Sequence, residues 1–339
     1  MKKTITYIDL FAGIGGFRTA IESLREEVNS RCVFTSEIDK WARNTYRTWY
    51  LSELREDEIE RTFKGDITKV SAAEISPHDL LMGGFPCQPF SHAGKRKGFS
   101  DTRGTLFFDI ERIVRRHKPK YILLENVKGL RGHDKGRTLK VIVSKLEKLN
   151  YVVNFKVLNA RDFGVPQNRE RLFIVAIYAD ELKREFKFPE GDGNGRDSVH
   201  LRSVLERSTK SLVEKYQISE KLWAGHKRRL ARHRQNGNGF GYSLFDRDSK
   251  YVNTISARYY KDGSEVLIKV RDGDEPPRKI TPTEGLRLQG FPAEYSFPDS
   301  VSNAQAYKQI GNAVAVPVVR QVLRQMFMAG GDLAGSRND

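Results

Sequence analysis

The chain has 339 residues, of which 38% are hydrophobic and 30% are charged. This length allows one large domain or two ordinary ones, and no apolar stretch is long enough to predict a transmembrane helix. Its two cysteines, Cys32 and Cys87, exclude a disulfide framework and suit a reducing cytoplasm. The 59 Lys and Arg against 43 Asp and Glu give a formal net charge of +16, which indicates a polyanionic partner such as nucleic acid.

The N-terminal half alternates predicted strands with amphipathic helices, and the first strand lies in "MKKTITYIDLF", whose apolar run is too short for a signal peptide. Apolar strands alternating with helices predict an α/β fold with a doubly wound, mostly parallel sheet covered on both faces. The predicted strands are Thr6–Phe11, Cys32–Ile38, Asp79–Phe85, Lys120–Val127, Tyr151–Leu158 and Arg171–Tyr178.

The pattern changes near Phe188, where "FPEGDGNGRDS" forms a Pro-, Gly- and Asp-rich break. Residues 190–280 are basic and contain only short strand-like pieces, which predicts a smaller, irregular second domain. Helical periodicity returns in "PTEGLRLQGF" and "AVPVVRQVLRQMFM". We therefore expect a first domain of residues 1–187 with 300–330, a second domain of residues 188–299, and a flexible tail of residues 331–339.

Polar and glycine-rich signals follow three successive strands. "DLFAGIGGF" places three glycines at the first strand-to-helix turn, with a spacing that differs from G-x-G-x-x-G. Glu37 ends the next strand, and Asp66 follows in "GDIT". Either acid alone is equally explained as a helix cap, but the three features together favour a nucleoside-bearing ligand. They do not separate NAD from S-adenosylmethionine.

Cys87 follows a predicted strand and lies among prolines and a polar loop, whereas Cys32 fits a buried small hydrophobe. Glu125 ends the apolar strand of "LLENV", and a carboxylate against an apolar surface has a raised pKa and can hold a proton near neutrality. Arg169 and Arg171 lie two residues apart before another strand, so both could point to one side, but on this spacing alone a solvated surface is the better explanation.

The chain resembles the DNA (cytosine-5)-methyltransferase family through "DLFAGIGGF", "GGFPCQPFS", "ENV", "QNRERLF", "RLQGFP" and "YKQIGNAVAVPV", which occur in the order of the family's motifs. The match runs from about residue 5 to about residue 325, apart from the variable basic region. It implies a class I S-adenosylmethionine-dependent fold with a seven-stranded sheet and an inserted target-recognition domain. It also implies S-adenosyl-L-methionine as cofactor, S-adenosyl-L-homocysteine as product, and no metal.

The resemblance assigns catalytic roles to four residues. Cys87 attacks C6 of a flipped cytosine, Glu125 contacts N3 and the exocyclic amine, and Arg171 holds O2 with Arg169 beside it. The loop after Cys87, with glycines at 94, 98 and 104, would form a lid. The implied cofactor-binding residues are Phe11, Gly13, Ile14, Gly15, Gly16, Glu37, Ile38, Asp66, Ile67, Pro86, Leu106, Asn312 and Val314.

"TISARYYKDGSEVLI" resembles the recognition region of bacterial enzymes that act on CC-N-GG or CC-(A/T)-GG sites. We expect a strand here in which Arg258 and Tyr260 share one face, opposite Tyr259 and Lys261. Arg258 would read a guanine, and Lys261 would contact phosphates. The alternative is an ordinary exposed strand whose charges keep it soluble.

The expected partner is double-stranded DNA, and the expected setting is a bacterial cytoplasm or nucleoid, away from membranes. A monomer that works beside a restriction endonuclease fits this interpretation. Two alternatives stay open: an RNA cytosine-5 methyltransferase of the same fold, and a catalytically silent DNA-binding relative. The presence of Cys87 and Glu125 argues against a silent relative, and the long basic insertion favours duplex DNA.

Overall fold

The computed structural model describes residues 2–86, 106–191, 199–239, 241–271 and 273–333. Cys87 and the glycines of the predicted lid lie outside these residues. The chain divides into two compact units. The first unit contains Met1–Leu158, Glu170–Pro189 and Val318–Asp339, and the second contains Asn159–Arg169 and Glu190–Pro317.

A seven-stranded sheet forms the centre of the first unit, in the strand order β3-β2-β1-β4-β5-β8-β6. Strands β1 to β5 pair in parallel, and β8 runs antiparallel to β5. The predicted fold class is confirmed. The strands are β1 (Thr4–Leu10), β2 (Asn29–Ser36), β3 (Phe63–Lys64), β4 (Leu80–Gly83), β5 (Tyr121–Val127), β6 (Tyr151–Asn159) and β8 (Glu170–Tyr178).

Helices with one apolar face cover this sheet. In α4 the buried residues Phe107, Ile110 and Val114 recur at helical spacing and belong to a core that also contains Leu81 and Ile122 of the sheet. The helices of this region are α1 (Gly16–Glu22), α2 (Lys40–Tyr50), α3 (Glu56–Thr62), α4 (Phe107–His117) and α5 (Arg137–Glu147).

The reversed direction of β8 decides which residues meet at the edge of the sheet. Tyr121 at the start of β5 pairs with Ile177, and Val127 at its end pairs with Arg171. The first residues of β8 therefore lie at the edge where the parallel strands end. Open α/β sheets bind ligands at that edge.

Among its described residues, the second unit combines short strands with four helices. β7 pairs in parallel with β10, and β9, β11 and β12 form a three-stranded sheet. A buried ion pair of 2.7 Å joins Arg278 to Glu284 beside the capping box of Thr281. The elements are β7 (Gln167–Asn168), α6 (Lys210–Tyr216), α7 (Glu220–Gln235), β9 (Leu244–Phe245), β10 (Val252–Asn253), β11 (Leu267–Ile268), β12 (Arg278–Lys279), α8 (Pro282–Leu288) and α9 (Asn303–Asn312).

The two units differ from the expected domain boundaries in four places. Residues 188–189 and 331–333, which the sequence placed in the second domain and in the flexible tail, belong to the first unit, where the buried carboxylate of Asp332 is held by ion pairs. Residues 159–169 and 300–317 belong to the second unit, whereas the sequence placed both in the first domain. Helix α9 explains the later boundary, because the hydroxyl of Tyr307 donates to Ile280 O and Gly311 packs against the backbone of Ser256 and Ala257. The assignment of catalysis and recognition to separate domains stays a prediction.

The final helix, α10 (Val316–Ala329), returns to the first unit, and its apolar side is buried through residues such as Val322 and Phe327. Within the described ranges, no helix is both long and apolar enough to span a bilayer.

The strand predicted around Arg258 is wrong, because residues 257–262 form successive turns. The buried hydroxyl of Tyr259 donates to Val266 O at 2.6 Å and accepts from the backbone N–H of Ile280 at 3.0 Å. These bonds hold the ring in the core, so the chain turns around it rather than extending. Arg258, Tyr260 and Lys261 are exposed on this turn.

Candidate active site

The glycine-rich turn after β1 has a backbone that few side chains allow. Phe11, Gly13 and Gly15 all have positive φ, at 56°, 55° and 80°. A Cβ on Gly15 would lie 2.3 Å from the ring of Tyr50, so only glycine fits there. The Tyr50 hydroxyl donates to Gly15 O at 3.1 Å. Packing from α2 therefore holds the turn in place.

Glu37 directly follows β2 and reaches across to this turn. Its carboxylate accepts from the backbone N–H of Gly13 and from that of Asp39, both at 2.7 Å. Burial raises the pKa of Glu37, while the two N–H groups oppose that rise. The next side chain, Ile38, is 71% exposed. A carboxylate and an unburied apolar side chain thus lie side by side at the ligand edge.

Asp66 follows β3 and caps the short helix after it. Its Oδ1 accepts from the backbone N–H and the hydroxyl of Thr68, and these bonds lower the pKa of Asp66. The cap interpretation therefore accounts for one oxygen of this side chain. Ile67 is buried, Pro86 is exposed and Leu106 is half-buried.

Two predicted cofactor residues belong to the second unit. Asn312 ends α9 and is exposed, and Val314 is buried two residues later. Their part in the cofactor site stays a prediction.

An ion pair occupies the end of β5. Glu125 Oε1 lies 3.1 Å from Arg171 Nε, and the two side chains are only 13% and 16% exposed. Burial lowers the pKa of Arg171, and the charge of Glu125 opposes that change. Arg171 lies at this edge because β8 runs antiparallel to β5. The carboxylate of Glu125 can offer an oxygen to a ring nitrogen or an amine of a bound base.

Asn126 follows Glu125 in "LLENV" and has a structural role that the sequence pattern did not predict. Its amide donates to Phe85 O at 2.8 Å, and its Oδ1 accepts from the backbone N–H of Val127 at 2.9 Å. Asn126 thereby fixes the backbone immediately before Pro86. The available signal was a polar side chain at the end of an otherwise apolar strand.

The structure separates the two arginines whose spacing allowed them to point to one side. Arg169 is 2% exposed and lies in the second unit. Its guanidinium donates to the carbonyls of Ile255, Gly311 and Ala313, at 3.1, 3.0 and 2.6 Å. These contacts make Arg169 a structural link between two backbone segments, and its catalytic role stays a prediction.

Comparison with known proteins identifies the family. A family model described as C-5 cytosine-specific DNA methylase matches residues 5–328. The chain belongs to the C-5 cytosine-specific DNA methylase family. It is a DNA (cytosine-5-)-methyltransferase, and neither the RNA enzyme nor the silent relative is favoured.

Curated relatives support this membership. The enzyme is 53% identical over 322 residues to the Type II methyltransferase M.NlaX of Neisseria lactamica, covering 95% of this chain and 96% of that one. It is 50% identical over 331 residues to M1.ScrFI of Lactococcus lactis subsp. cremoris, covering 96% and 79%.

Solved structures show the same fold. A Spodoptera frugiperda DNMT2 mutant matches with a TM-score of 0.75 at 22% identity, covering 95% of this enzyme and 99% of that chain. S. pombe Dnmt2 matches with a TM-score of 0.76 at 20% identity, covering 96% and 98%.

Among the described residues, no three His, Cys, Asp or Glu side chains converge in a group that could hold a metal ion.

Proposed function

We propose that this enzyme flips a cytosine out of double-stranded DNA and methylates its C5 through a covalent intermediate with Cys87. The observation that carries the proposal is the Glu125–Arg171 pair at the ligand edge of the sheet, in a chain of this family. Three residues, Gly84 to Pro86, connect the end of β4 at that same edge to Cys87.

S-adenosyl-L-methionine, when bound, supplies the methyl group and leaves as S-adenosyl-L-homocysteine. The ligand edge fits this molecule on three observations. The position where Gly13 lacks a Cβ faces open space, Glu37 presents a carboxylate for ribose hydroxyls, and Ile38 offers an exposed apolar surface for adenine. Asp66 has a second oxygen beyond its cap, which can accept from an adenine amine.

Three side chains act on the cytosine: Cys87, Glu125 and Arg171. The Cys87 thiolate adds to C6, which breaks the aromaticity of the ring and makes C5 nucleophilic. Glu125 holds a proton at N3 and accepts from the exocyclic amine, and Arg171 donates to O2. After methylation, the C5 proton passes to a base, and elimination of the Cys87 thiolate restores the ring.

The names of the relatives support a biological role. M.NlaX and M1.ScrFI are called Type II methyltransferases, so we infer that this enzyme protects its host's DNA as the partner of a restriction endonuclease. A recognition site of the CC-N-GG or CC-(A/T)-GG type stays a prediction from "TISARYYKDGSEVLI". Exposed Arg258 on its turn is the side chain that we expect to contact a guanine.

Bisulfite sequencing of DNA treated with the enzyme tests the reaction and locates the site. We expect protected cytosines at one short sequence. DNA with 5-fluorocytosine at that position should trap a covalent adduct with the wild type, because fluorine cannot leave as a proton does. Cys87→Ser should form no adduct and transfer no methyl groups, since a hydroxyl is a far weaker nucleophile at neutral pH. Comparable turnover by Cys87→Ser would contradict the mechanism.

A further inference from the structure

Helix α7 of the second unit is strongly basic. Its sequence "EKLWAGHKRRLARHRQ" contains six lysine and arginine residues in 16 positions. Trp223 and His226 are buried on one side, where Trp223 belongs to a small core with Ile218 and Leu267. The opposite side of the helix is exposed and has no comparable packing role.

Two of the cations of α7 have a structural explanation. Lys227 Nζ lies 2.5 Å from Asp274, and Arg229 lies 3.1 Å from Asp262. The carbonyl of Asp262 also lies 3.2 Å from Nε2 of His226. These contacts neutralise the two cations and anchor the helix within its unit.

Four other cations of α7 are exposed and have no ion pair among the residues that the structure describes. Arg234 lies on the same side of the helix as Trp223, which leaves three on the exposed side: Lys221, Arg228 and Arg232. At about 100° per residue, these three positions fall within roughly 40° of one another around the helix, on the side away from Trp223. A rise of about 1.5 Å per residue places Arg228 roughly 10 Å from Lys221 and Arg232 roughly 6 Å farther along the axis. We call this row the basic stripe.

We propose that the basic stripe binds the phosphate backbone of double-stranded DNA without reading its sequence. Its charge is complementary to a polyanion, and DNA carries one negative charge per about 1.7 Å of axis, so each cation of the stripe can meet a phosphate. Arginine and lysine at phosphates position a duplex and carry no sequence information. The inference rests on the proposed function, which makes DNA the substrate.

The contacts that anchor α7 also connect the basic stripe to the turn that carries Arg258. Asp262, which binds Arg229 of α7, belongs to the turn that presents Arg258 and Lys261. The helix and the turn are therefore linked within the second unit. Phosphate contacts by the stripe would orient the turn on the duplex before any base is read.

The test is binding to a random-sequence duplex over a range of salt concentrations. For Arg228→Ala/Arg232→Ala we expect weaker binding and a slope of log K against log salt that is smaller by roughly 1.8, about 0.9 for each lost phosphate contact. Arg228→Lys/Arg232→Lys should keep the wild-type slope, because lysine also binds phosphate as a point charge. Lys2→Ala/Arg25→Ala removes the same amount of charge, but at the edge of the first unit's sheet opposite the ligand edge. This control should change the slope little.

Far-UV circular dichroism and thermal unfolding like those of the wild type should show that all variants are folded. A wild-type slope and affinity in Arg228→Ala/Arg232→Ala would overturn the basic stripe alone. An equally large loss of slope in Lys2→Ala/Arg25→Ala would overturn it too, because the effect would then be one of overall charge. A wild-type enzyme that neither binds DNA nor methylates it would overturn the proposed function as well.

Discussion

At the scale of single residues, two buried acids show how their surroundings divide their roles. Glu125 has a charged partner in Arg171 at 3.1 Å. Asp9 is fully buried in β1, and neither of its oxygens has a hydrogen-bond partner among the described residues. Burial raises the pKa of Asp9 to about 8, although nearby Arg18 opposes this. Glu125 thus has a charged partner at the ligand edge, whereas ionisation of Asp9 in the core is unfavourable.

Glu125→Gln keeps the shape of the side chain and removes its titratable proton. We expect kcat to fall by about a hundredfold or more, the range typical of general acid–base groups, with little change in DNA binding. Single-turnover methylation at saturating DNA measures this effect. Glu170→Gln is the control, since Glu170 forms only a surface pair with Lys128 and should leave kcat unchanged. An unaltered kcat in Glu125→Gln would reduce Glu125 to a structural role.

Asp9→Asn should stabilise the protein above neutral pH. The folded pKa of about 8 lies above the unfolded value near 3.9, so the folded state holds a proton that the unfolded state releases. Between these two values, the free energy of unfolding of the wild type falls as pH rises, by up to about 1.4 kcal/mol per pH unit. Urea unfolding at pH 5 and pH 8 should show a smaller decline in Asp9→Asn. Equal declines in both proteins would rule out this account.

At the scale of elements, the close approach of two backbone segments explains why a glycine occupies one position of α9. In α9, a Cβ on Gly311 would lie 2.3 Å from Ala257 N and from Ser256 C. Arg169 donates to the carbonyl of the same glycine at 3.0 Å. Helix α9 and the segment before the exposed turn therefore touch through backbone, and a missing side chain permits this contact.

Gly311→Ala should force α9 away from that segment. Overpacking of this kind costs about 1–3 kcal/mol, and the shift should also impair site-specific binding. Gly225→Ala is the matched control, because Gly225 lies in α7 and a Cβ there meets nothing within 4 Å. That control should stabilise the protein by up to about 1 kcal/mol, the helix-propensity difference. Thermal unfolding separates the two, and equal effects would mean that the backbone contact is unimportant.

At the scale of the whole molecule, Asp332 joins distant parts of the first unit. Its carboxylate, 5% exposed, lies 2.7 Å from Lys3 Nζ and 3.1 Å from Lys120 Nζ, and it accepts from the Tyr121 hydroxyl at 2.6 Å. Lys3 precedes β1, and the other two residues lie at the start of β5. The segment after α10 thus connects the beginnings of β1 and β5, at the edge of the sheet opposite the ligand edge.

Asp332→Asn should lower the free energy of unfolding by about 1.5–3 kcal/mol, because it removes a carboxylate that accepts hydrogen bonds from Lys3, Lys120 and Tyr121. Hydrogen bonds from Lys3, Tyr121 and Lys120 lower the pKa of Asp332 despite its burial. Its contribution is therefore present above the unfolded value near 3.9 and is lost as pH falls through the lower folded value. Denaturant unfolding at pH 7 measures the loss. Asp57→Asn, at an exposed pair with Arg55, should have almost no effect, and a similar loss there would argue against this role.

The sequence by itself determined the order of six of the seven strands of the first unit, because apolar periodicity and short polar breaks are local properties. It also placed Glu37, Asp66 and Glu125 at strand ends, and parallel strands bring such ends to one edge. It did not predict α3 or the two-residue strand β3. The family motifs supplied the chemistry of Cys87, which lies outside the described residues, so its role stays a prediction.

Only the tertiary structure separated Arg169 from Arg171, since two residues of spacing cannot show that the chain passes from one unit to the other between them. It also replaced the strand around Arg258 with a turn. The two bonds of the Tyr259 hydroxyl, to Val266 and Ile280, join positions 7 and 21 residues away, and no local pattern records them. Local patterns set the elements, whereas contacts between distant residues decided which side chains meet.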